Sequence, residues 1–271
     1  MAIYRNLDIG TAKPSPAARG RVPYYGLDVV DPSERFSVWD FRAYALDVLG
    51  HVDRPVIVTG GTGLYIKSLT HGLAPGAGAD DALRAYWQAR VKTEGMAPLL
   101  AAVAAIAPAA LAALGAAPNE RRLIRVLERR GVPADDGWRQ PRAAWPVLTG
   151  VRCEGEILQK RIVERVRVMY SRGLVDEVRA LRDGGVALSA TARQAIGYAE
   201  AWAVIEGRCS ATDALERTVI RTRQLAKRQR TWFRTQAAVD WVAGSPGDSL
   251  AAMGEQVLTS WRKHGPTRIA E

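Results

Sequence analysis

Apolar residues recur at helical spacing at Phe41, Tyr44, Ala45 and Val48, with Ser37 ahead of them as a cap. Residues 37–49 therefore read as an amphipathic helix. The stretch before it, 5–36, has no such period and is punctuated by Pro14, Pro16, Gly20, Pro23, Gly26 and Pro32, which predicts loop. After the helix comes Pro55-Val56-Ile57-Val58-Thr59, an unbroken apolar run of the kind carried by a strand buried on both faces. Gly60-Gly61-Thr62-Gly63 turns that strand into a short helix over 64–69. A linker is expected at 75–80, helices broken by glycine and proline from 80 to about 130, and loop again at 131–145. Residues 147–151 read as a second buried strand. From there to about 233 the pattern is helical, with turns at Gly184-Gly185 and Gly207.

Composition narrows this to an ordinary globular chain. With 271 residues, 48% hydrophobic and 24% charged, it is neither a disordered tail nor a fibre. One large domain, or one domain with a smaller insertion, is expected. Cys153 and Cys209 form no CxxC pair, and His51, His71 and His264 share no ligand spacing. A disulfide scaffold, a thiolate zinc site and a histidine-built metal site are therefore all disfavoured. No apolar run follows the charge at the N-terminus, and the uncharged stretch 95–119 is divided by Pro98, Pro108 and Pro118. Packed alanine-rich helices account for that stretch better than a membrane span, and a cytoplasmic protein with no membrane partner is expected.

Charge changes the picture more. The net +10 is distributed unevenly: residues 1–118 hold 11 Lys/Arg against 10 Asp/Glu, and residues 119–271 hold 27 against 18. A polyanionic partner for the second part follows. The densest segment, 217–234, holds Arg217, Arg221, Arg223, Lys227, Arg228, Arg230 and Arg234 and no acid. Leu215, Val219, Thr222, Ala226, Gln229 and Phe233 mark one face of it, and the cations fall on two flanks. A helix docked by one face with basic flanks suits a phosphate backbone better than it suits a plain solvated surface. In 119–130, Leu123, Val126 and Leu127 form a stripe while Arg121, Arg122 and Arg125 reach outward, but a salt-bridged helix explains this equally well. The turn at 60–63 presents amides and a hydroxyl at a helix N-terminus, a natural anion contact. It lacks the spacing of a Walker loop, so by the residues alone a ligand-free turn accounts for it better.

Five segments in order carry a resemblance. They are Asp8-Ile9-Gly10-Thr11-Ala12-Lys13-Pro14, Gly60-Gly61-Thr62-Gly63-Leu64-Tyr65, Arg121-Arg122-Leu123-Ile124-Arg125, Arg193-Gln194-Ala195-Ile196-Gly197-Tyr198 and Lys227-Arg228-Gln229-Arg230-Thr231-Trp232-Phe233. Together, over 4–241, they resemble the tRNA dimethylallyltransferase (tRNA isopentenyltransferase) family. The resemblance implies an α/β fold: a P-loop NTPase-like parallel sheet core over 1–79 and 139–243, an all-helical insertion at 80–138 that contacts tRNA, and a tail at 244–271. It implies transfer of the dimethylallyl group of dimethylallyl diphosphate, with Mg2+, to the exocyclic amine of the adenosine 3′ of the anticodon. That base would be extruded to be reached. The partners it implies are a tRNA anticodon stem-loop and dimethylallyl diphosphate, acting on a monomer.

Carried over residue by residue, the resemblance puts Thr62, Arg193, Thr11 and Lys13 at the substrates, with Arg193 gripping the diphosphate through its planar guanidinium. It puts Arg84, Arg121, Arg122 and Arg125 against tRNA, joined by Arg223, Lys227 and Arg230 of the basic helix. The family's P-loop, of the form GPTxSGK[ST], and the Asp-Ser pair that follows its next strand match nothing in these 271 residues. The diphosphate cradle, its magnesium hydroxyl and the general-base aspartate are accordingly expected upstream of Met1. No catalytic residue and no metal ligand is assigned within the chain. A truncated tRNA-binding remnant is the alternative expectation.

Overall fold

The computed structural model describes residues 1–73, 80–131, 146–153, 155–244 and 249–270. It divides into two compact units, one of Met1–His71 with Gln140–Glu271 and one of Gly72–Arg139. The linker expected at 75–79 and the loop and boundary expected over 132–145 lie outside the described residues.

In the larger unit the first 36 residues are irregular, as the proline and glycine spacing predicts. Only the single turn of α1 (Pro16–Arg19) and an isolated parallel bridge between Tyr4 and Val30 interrupt them. Buried backbone without a ladder needs other partners, and Lys13 supplies several. Its ammonium donates to the Tyr4 carbonyl at 2.6 Å, to Asp8 at 2.6 Å and to Asp28 at 2.5 Å, with its side chain only 2% exposed. Arg19 grips the second oxygen of Asp28 at 2.7 Å. α2 (Val38–His51) begins where Ser37 and Asp40 cap each other's backbone amides, so the expected helix and cap both form.

α3 (Gly63–His71) follows the glycine turn. The run at 55–59 does not form the expected buried strand. It has no strand partner among the described residues, and Ile57 is 64% exposed. Strand geometry depends on a ladder, and the described sheet consists only of β1 (Val147–Cys153) and β2 (Ala238–Gly244), paired parallel from Val147↔Ala238 to Cys153↔Gly244. β1 is two residues longer than its pattern suggested, and Val151 is 52% exposed, so it is not buried on both faces.

Between the strands run α8 (Gly155–Ser171), α9 (Leu174–Asp183), a 3-10 turn at Ala192–Gln194, α10 (Tyr198–Ile205) and α11 (Ala211–Gln236). Leu174, Val178 and Leu181 of α9 and Tyr198 and Ala201 of α10 close a core around Tyr4, Leu7 and Phe36 of the irregular segment. A second core joins Ile162 and Val166 of α8 to Val219 of α11, with Tyr170 and Thr218 hydrogen-bonded at 3.0 Å. Burial pushes the Tyr170 hydroxyl up to about 12.

Residues 244–271 are not merely a tail. They hold α12 (Leu250–His264), capped by Ser249. Ser260 and His264 of that helix each reach Asp240 of β2 at 3.0 Å, and Ser260 meets Thr149 of β1 at 2.8 Å.

The smaller unit is helical throughout its described residues: α4 (Asp81–Glu94), α5 (Ala97–Ile106), α6 (Pro108–Ala113) and α7 (Glu120–Glu128). Its core is Trp87, Leu99, Val103, Leu123 and Ile124. No helix among the described residues is long and apolar enough to cross a membrane.

Replacing Lys13 by methionine keeps most of the side-chain volume and removes three charge-assisted bonds at once. A loss of about 2 kcal/mol is expected, discounted because both carboxylates are partly exposed. Burial alone would raise the Asp28 pKa, but the Lys13 and Arg19 hydrogen bonds outweigh it and hold the carboxyl below the usual aspartate range. This stabilisation is therefore present above about pH 4, the ordinary aspartate value, and fades as pH falls through the lowered folded value. Denaturant melts of K13M between pH 7 and pH 3 should show a smaller acid-dependent loss than the parent chain.

Candidate functional site

α11 is the longest described element, at 26 residues, and its sequence explains its placement. Ala214, Thr218 and Val219 are buried, with Leu215, Thr222, Ala226, Gln229 and Phe233 lying along the same face. Arg221, expected among the free flank cations, is committed inward: it bonds Glu200 of α10 at 2.5 Å. The same carboxylate accepts the Gly197 amide at 2.9 Å. Arg223, Lys227, Arg228, Arg230 and Arg234 make no ion pair or hydrogen bond among the described residues. Three of them, Arg223, Lys227 and Arg230, line a groove against Gly155, Leu158 and Gln159 at the start of α8. Arg223, Lys227, Arg230 and Arg234 share one flank of the helix and repel one another, a cost that a polyanion would remove.

α11 also fixes the glycine turn. A Cβ on Gly61 would lie 2.2 Å from the Gln229 amide, and one on Gly63 would lie 2.1 Å from the Trp232 ring. Glycine is needed at Gly63 because the rigid indole occupies that space, whereas at Gly61 the neighbour is the end of the flexible Gln229 side chain. Thr62 between them stays exposed, and its carbonyl accepts the Tyr65 amide at 2.9 Å to open α3. Burying Gly63 beneath an indole is a packing demand that the turn's spacing alone does not reveal.

The Asp8–Pro14 motif is built around Glu177 of α9. One carboxylate oxygen accepts the amides of Asp8 at 3.1 Å and Ile9 at 2.9 Å, and the other accepts the Tyr198 hydroxyl at 2.6 Å. Gly10 lies under the Tyr198 ring, where a Cβ would sit 2.5 Å from it. Burial first and then the Glu177 carboxylate push the Tyr198 pKa far up, so the hydroxyl stays a donor. Thr11 donates to the Leu7 carbonyl. Lys13, expected at the substrate, has all three of its donors engaged by the protein. It shapes the loop and offers no free N–H to a ligand.

Arg193 stands on the 3-10 turn, exposed, its guanidinium unpaired among the described residues. Its turn is held from both sides: Ser189 caps the Ala192 amide at 3.1 Å, and Arg221 reaches the Gln194 carbonyl at 3.4 Å.

In the smaller unit the expected cations separate into two kinds. Arg121 and Arg122 are placed at the start of α7, Arg121 and Arg122 both exposed. Arg84 and Arg125 both bind Glu128, at 2.6 and 2.9 Å, and that carboxylate is fully buried. The Asp80 amide donates to it as well, at 3.0 Å. Burial would raise the Glu128 pKa, but these bonds hold it below the usual glutamate range.

Gln229 and Trp232 lie inside a motif already quoted, so position along the chain could have found them. Glu128, Glu177 and Glu200 carry no such signal, since an acid's burial is invisible in its neighbours. No group of three His, Cys, Asp or Glu residues that could hold a metal is found among the described residues. Asp8 and Asp28 are already paired with Lys13, and Glu177 with the Asp8 and Ile9 amides and the Tyr198 hydroxyl. These residues do not fit a magnesium site, and no step is assigned to magnesium here.

Parallel strands joined through helices, a glycine turn at a helix start and a helix with an exposed basic flank define an α/β protein. The chain belongs to the IPP transferase family, whose sequence model matches residues 2–236. It is 42% identical over 254 residues to the tRNA dimethylallyltransferase of Geobacter sulfurreducens, covering 89% of this chain and 81% of that protein. The tRNA dimethylallyltransferase of Rhodococcus jostii is 40% identical over 275 residues, with coverage of 98% and 87%. The crystal structure of the tRNA isopentenylpyrophosphate transferase of Bacillus halodurans superposes with a TM-score of 0.68 at 33% identity, covering 97% of this chain and 85% of that one. The fold is thus the P-loop NTPase-like α/β fold of these transferases.

Substituting Gly63 by alanine forces the Trp232 ring aside, an overpacking cost of about 1–3 kcal/mol. Gly60→Ala meets open space and serves as the control. Thermal melts of the two variants should separate them, and an unshifted Gly63→Ala would mean that the indole does not cover the turn.

Proposed function

We propose that the chain is a tRNA dimethylallyltransferase, which moves the dimethylallyl group of dimethylallyl diphosphate onto the exocyclic amine of the adenosine 3′ of the anticodon. The family match over 2–236 supports this over a bare RNA-binding remnant. The observation that carries the RNA side is the row of four unpaired cations along one flank of α11, Arg223, Lys227, Arg230 and Arg234, beside its docked face. Arg121 and Arg122 add exposed cations on the helical unit.

In the transfer, the amine nitrogen bonds the allylic carbon, the carbon–oxygen bond to diphosphate breaks, and the diphosphate leaves with that electron pair. The amine then gives up a proton to solvent water, which leaves the alkylated nitrogen neutral. Arg193, rigidly mounted and unpaired, is the described residue suited to gripping the leaving diphosphate by two parallel N–H···O bonds. Thr62, at the start of α3, is placed for a hydroxyl contact to the RNA or the extruded base. Thr11 and Lys13 act indirectly, by shaping the loop that Glu177 holds. Mg2+ in this reading accompanies the diphosphate. A cytoplasmic, monomeric protein is part of the same proposal.

The test is prenyl transfer to an anticodon stem-loop, followed by mass. An analogue with inosine in place of the target adenosine lacks the exocyclic amine and should accept nothing. Arg193→Ala should lower the rate of transfer by about tenfold to a thousandfold, the range for one missing oxyanion donor, and change RNA affinity little. Equal transfer by the variant would remove Arg193 from the diphosphate. Reversing charge at Arg223 and Lys227 should weaken stem-loop binding and reduce the slope of log affinity against log salt by about one for each phosphate left without its cation. An unaltered slope would place the RNA elsewhere.

A further inference from the structure

Glu128 is a fully buried carboxylate, and the groups that bind it belong to the smaller unit: the Arg84 guanidinium at 2.6 and 3.1 Å, the Arg125 guanidinium at 2.9 Å and the Asp80 amide at 3.0 Å. It ties the start of α4 to the end of α7, since Asp80 is also the cap of α4. The side chains of Arg84 and Arg125 are 38% and 34% exposed, so each remains partly at the surface while its guanidinium is held by the buried acid. A free arginine gives up much rotamer freedom when it grips a phosphate. An arginine already held by a buried acid has given up that freedom on folding.

We infer that Glu128 is a positioning residue for RNA binding: it holds the Arg84 and Arg125 guanidinia at fixed places on the surface, ready for phosphate oxygens. This rests on the proposed tRNA reading and assigns Glu128 no contact with RNA. The geometry distinguishes two groups of cations in this unit. Arg121 and Arg122 are untethered charges that contribute mostly attraction, whereas Arg84 and Arg125 contribute fixed geometry.

The two effects have opposite signs when Glu128 becomes glutamine. Removing a negative charge beside a polyanion should tighten binding. Releasing two held arginines should weaken it. Stem-loop affinity of E128Q across a salt series is the measurement, with helicity by circular dichroism to show that the unit remains folded. Weakening on the order of threefold to tenfold is expected, the size of one displaced charge-assisted contact. Arg84→Lys keeps the charge and loses the fork, so it should weaken binding with an unchanged salt slope; it carries the test if E128Q unfolds. Binding by E128Q or R84K as tight as the parent, or tighter, would overturn the positioning role. If Arg121→Gln with Arg122→Gln and Arg84→Gln with Arg125→Gln all leave affinity unaltered, the tRNA reading of this unit fails, and the positioning role falls with it.

Discussion

An irregular segment can enter a core only if its backbone polar groups find partners, and here two charged side chains provide several of them. The Lys13 ammonium takes the Tyr4 carbonyl together with Asp8 and Asp28, and the Glu177 carboxylate takes the amides of Asp8 and Ile9. Without them, the Tyr4 carbonyl and the Asp8 and Ile9 amides would lose these partners beside the fully buried Tyr4 and Leu7 side chains. α9 and α10 pack on the result, and the turn bearing Arg193 leads directly into α10. The placement of the exposed arginine therefore depends on a lysine and a glutamate that hold the loop from within.

α11 meets a second constraint, that of a helix serving two environments along its length. Its N-terminal half is docked through Ala214, Thr218 and Val219 and anchored by Arg221 on Glu200. Its C-terminal half sets Gln229 against Gly61 and presses Trp232 onto Gly63, the latter so close that a Cβ would meet the ring. A rigid rod held at both ends presents its outer face at a fixed distance from the turn carrying Thr62. The rod fixes where the backbone of each cation stands, while the unpaired side chains on it keep their own rotamer freedom until they meet a phosphate.

Much of this was legible in the residues. The capping box of α2, the helical run after residue 155, the docked face of α11 and its basic flank all follow from period and composition. The apolar run at 55–59 shows where that reasoning stops: a pattern states what a segment can bury, and only a neighbouring strand decides whether it pairs. β2 was missed for a related reason, since Ala238–Gly244 mixes Asp240 and Gly244 into a short apolar run and its register is set by β1. The motif holding Thr11 and Lys13 was recognisable, yet their inward role was not, because three acceptors distant in sequence or on the backbone determine it.

Arginines pose the hardest version of this problem. Arg121, Arg122 and Arg125 are near neighbours on one helix, and sequence treats them alike. Glu128 lies three residues beyond Arg125 and seven beyond Arg121, so helical geometry brings only the former within one turn. Arg84 reaches the same carboxylate from another helix, 44 residues away in sequence. A basic cluster is thus divided by one buried acid into charges that are fixed and charges that are free. Net charge counts both equally, but binding does not: the fixed ones specify where a phosphate must lie, and the free ones only how strongly it is drawn.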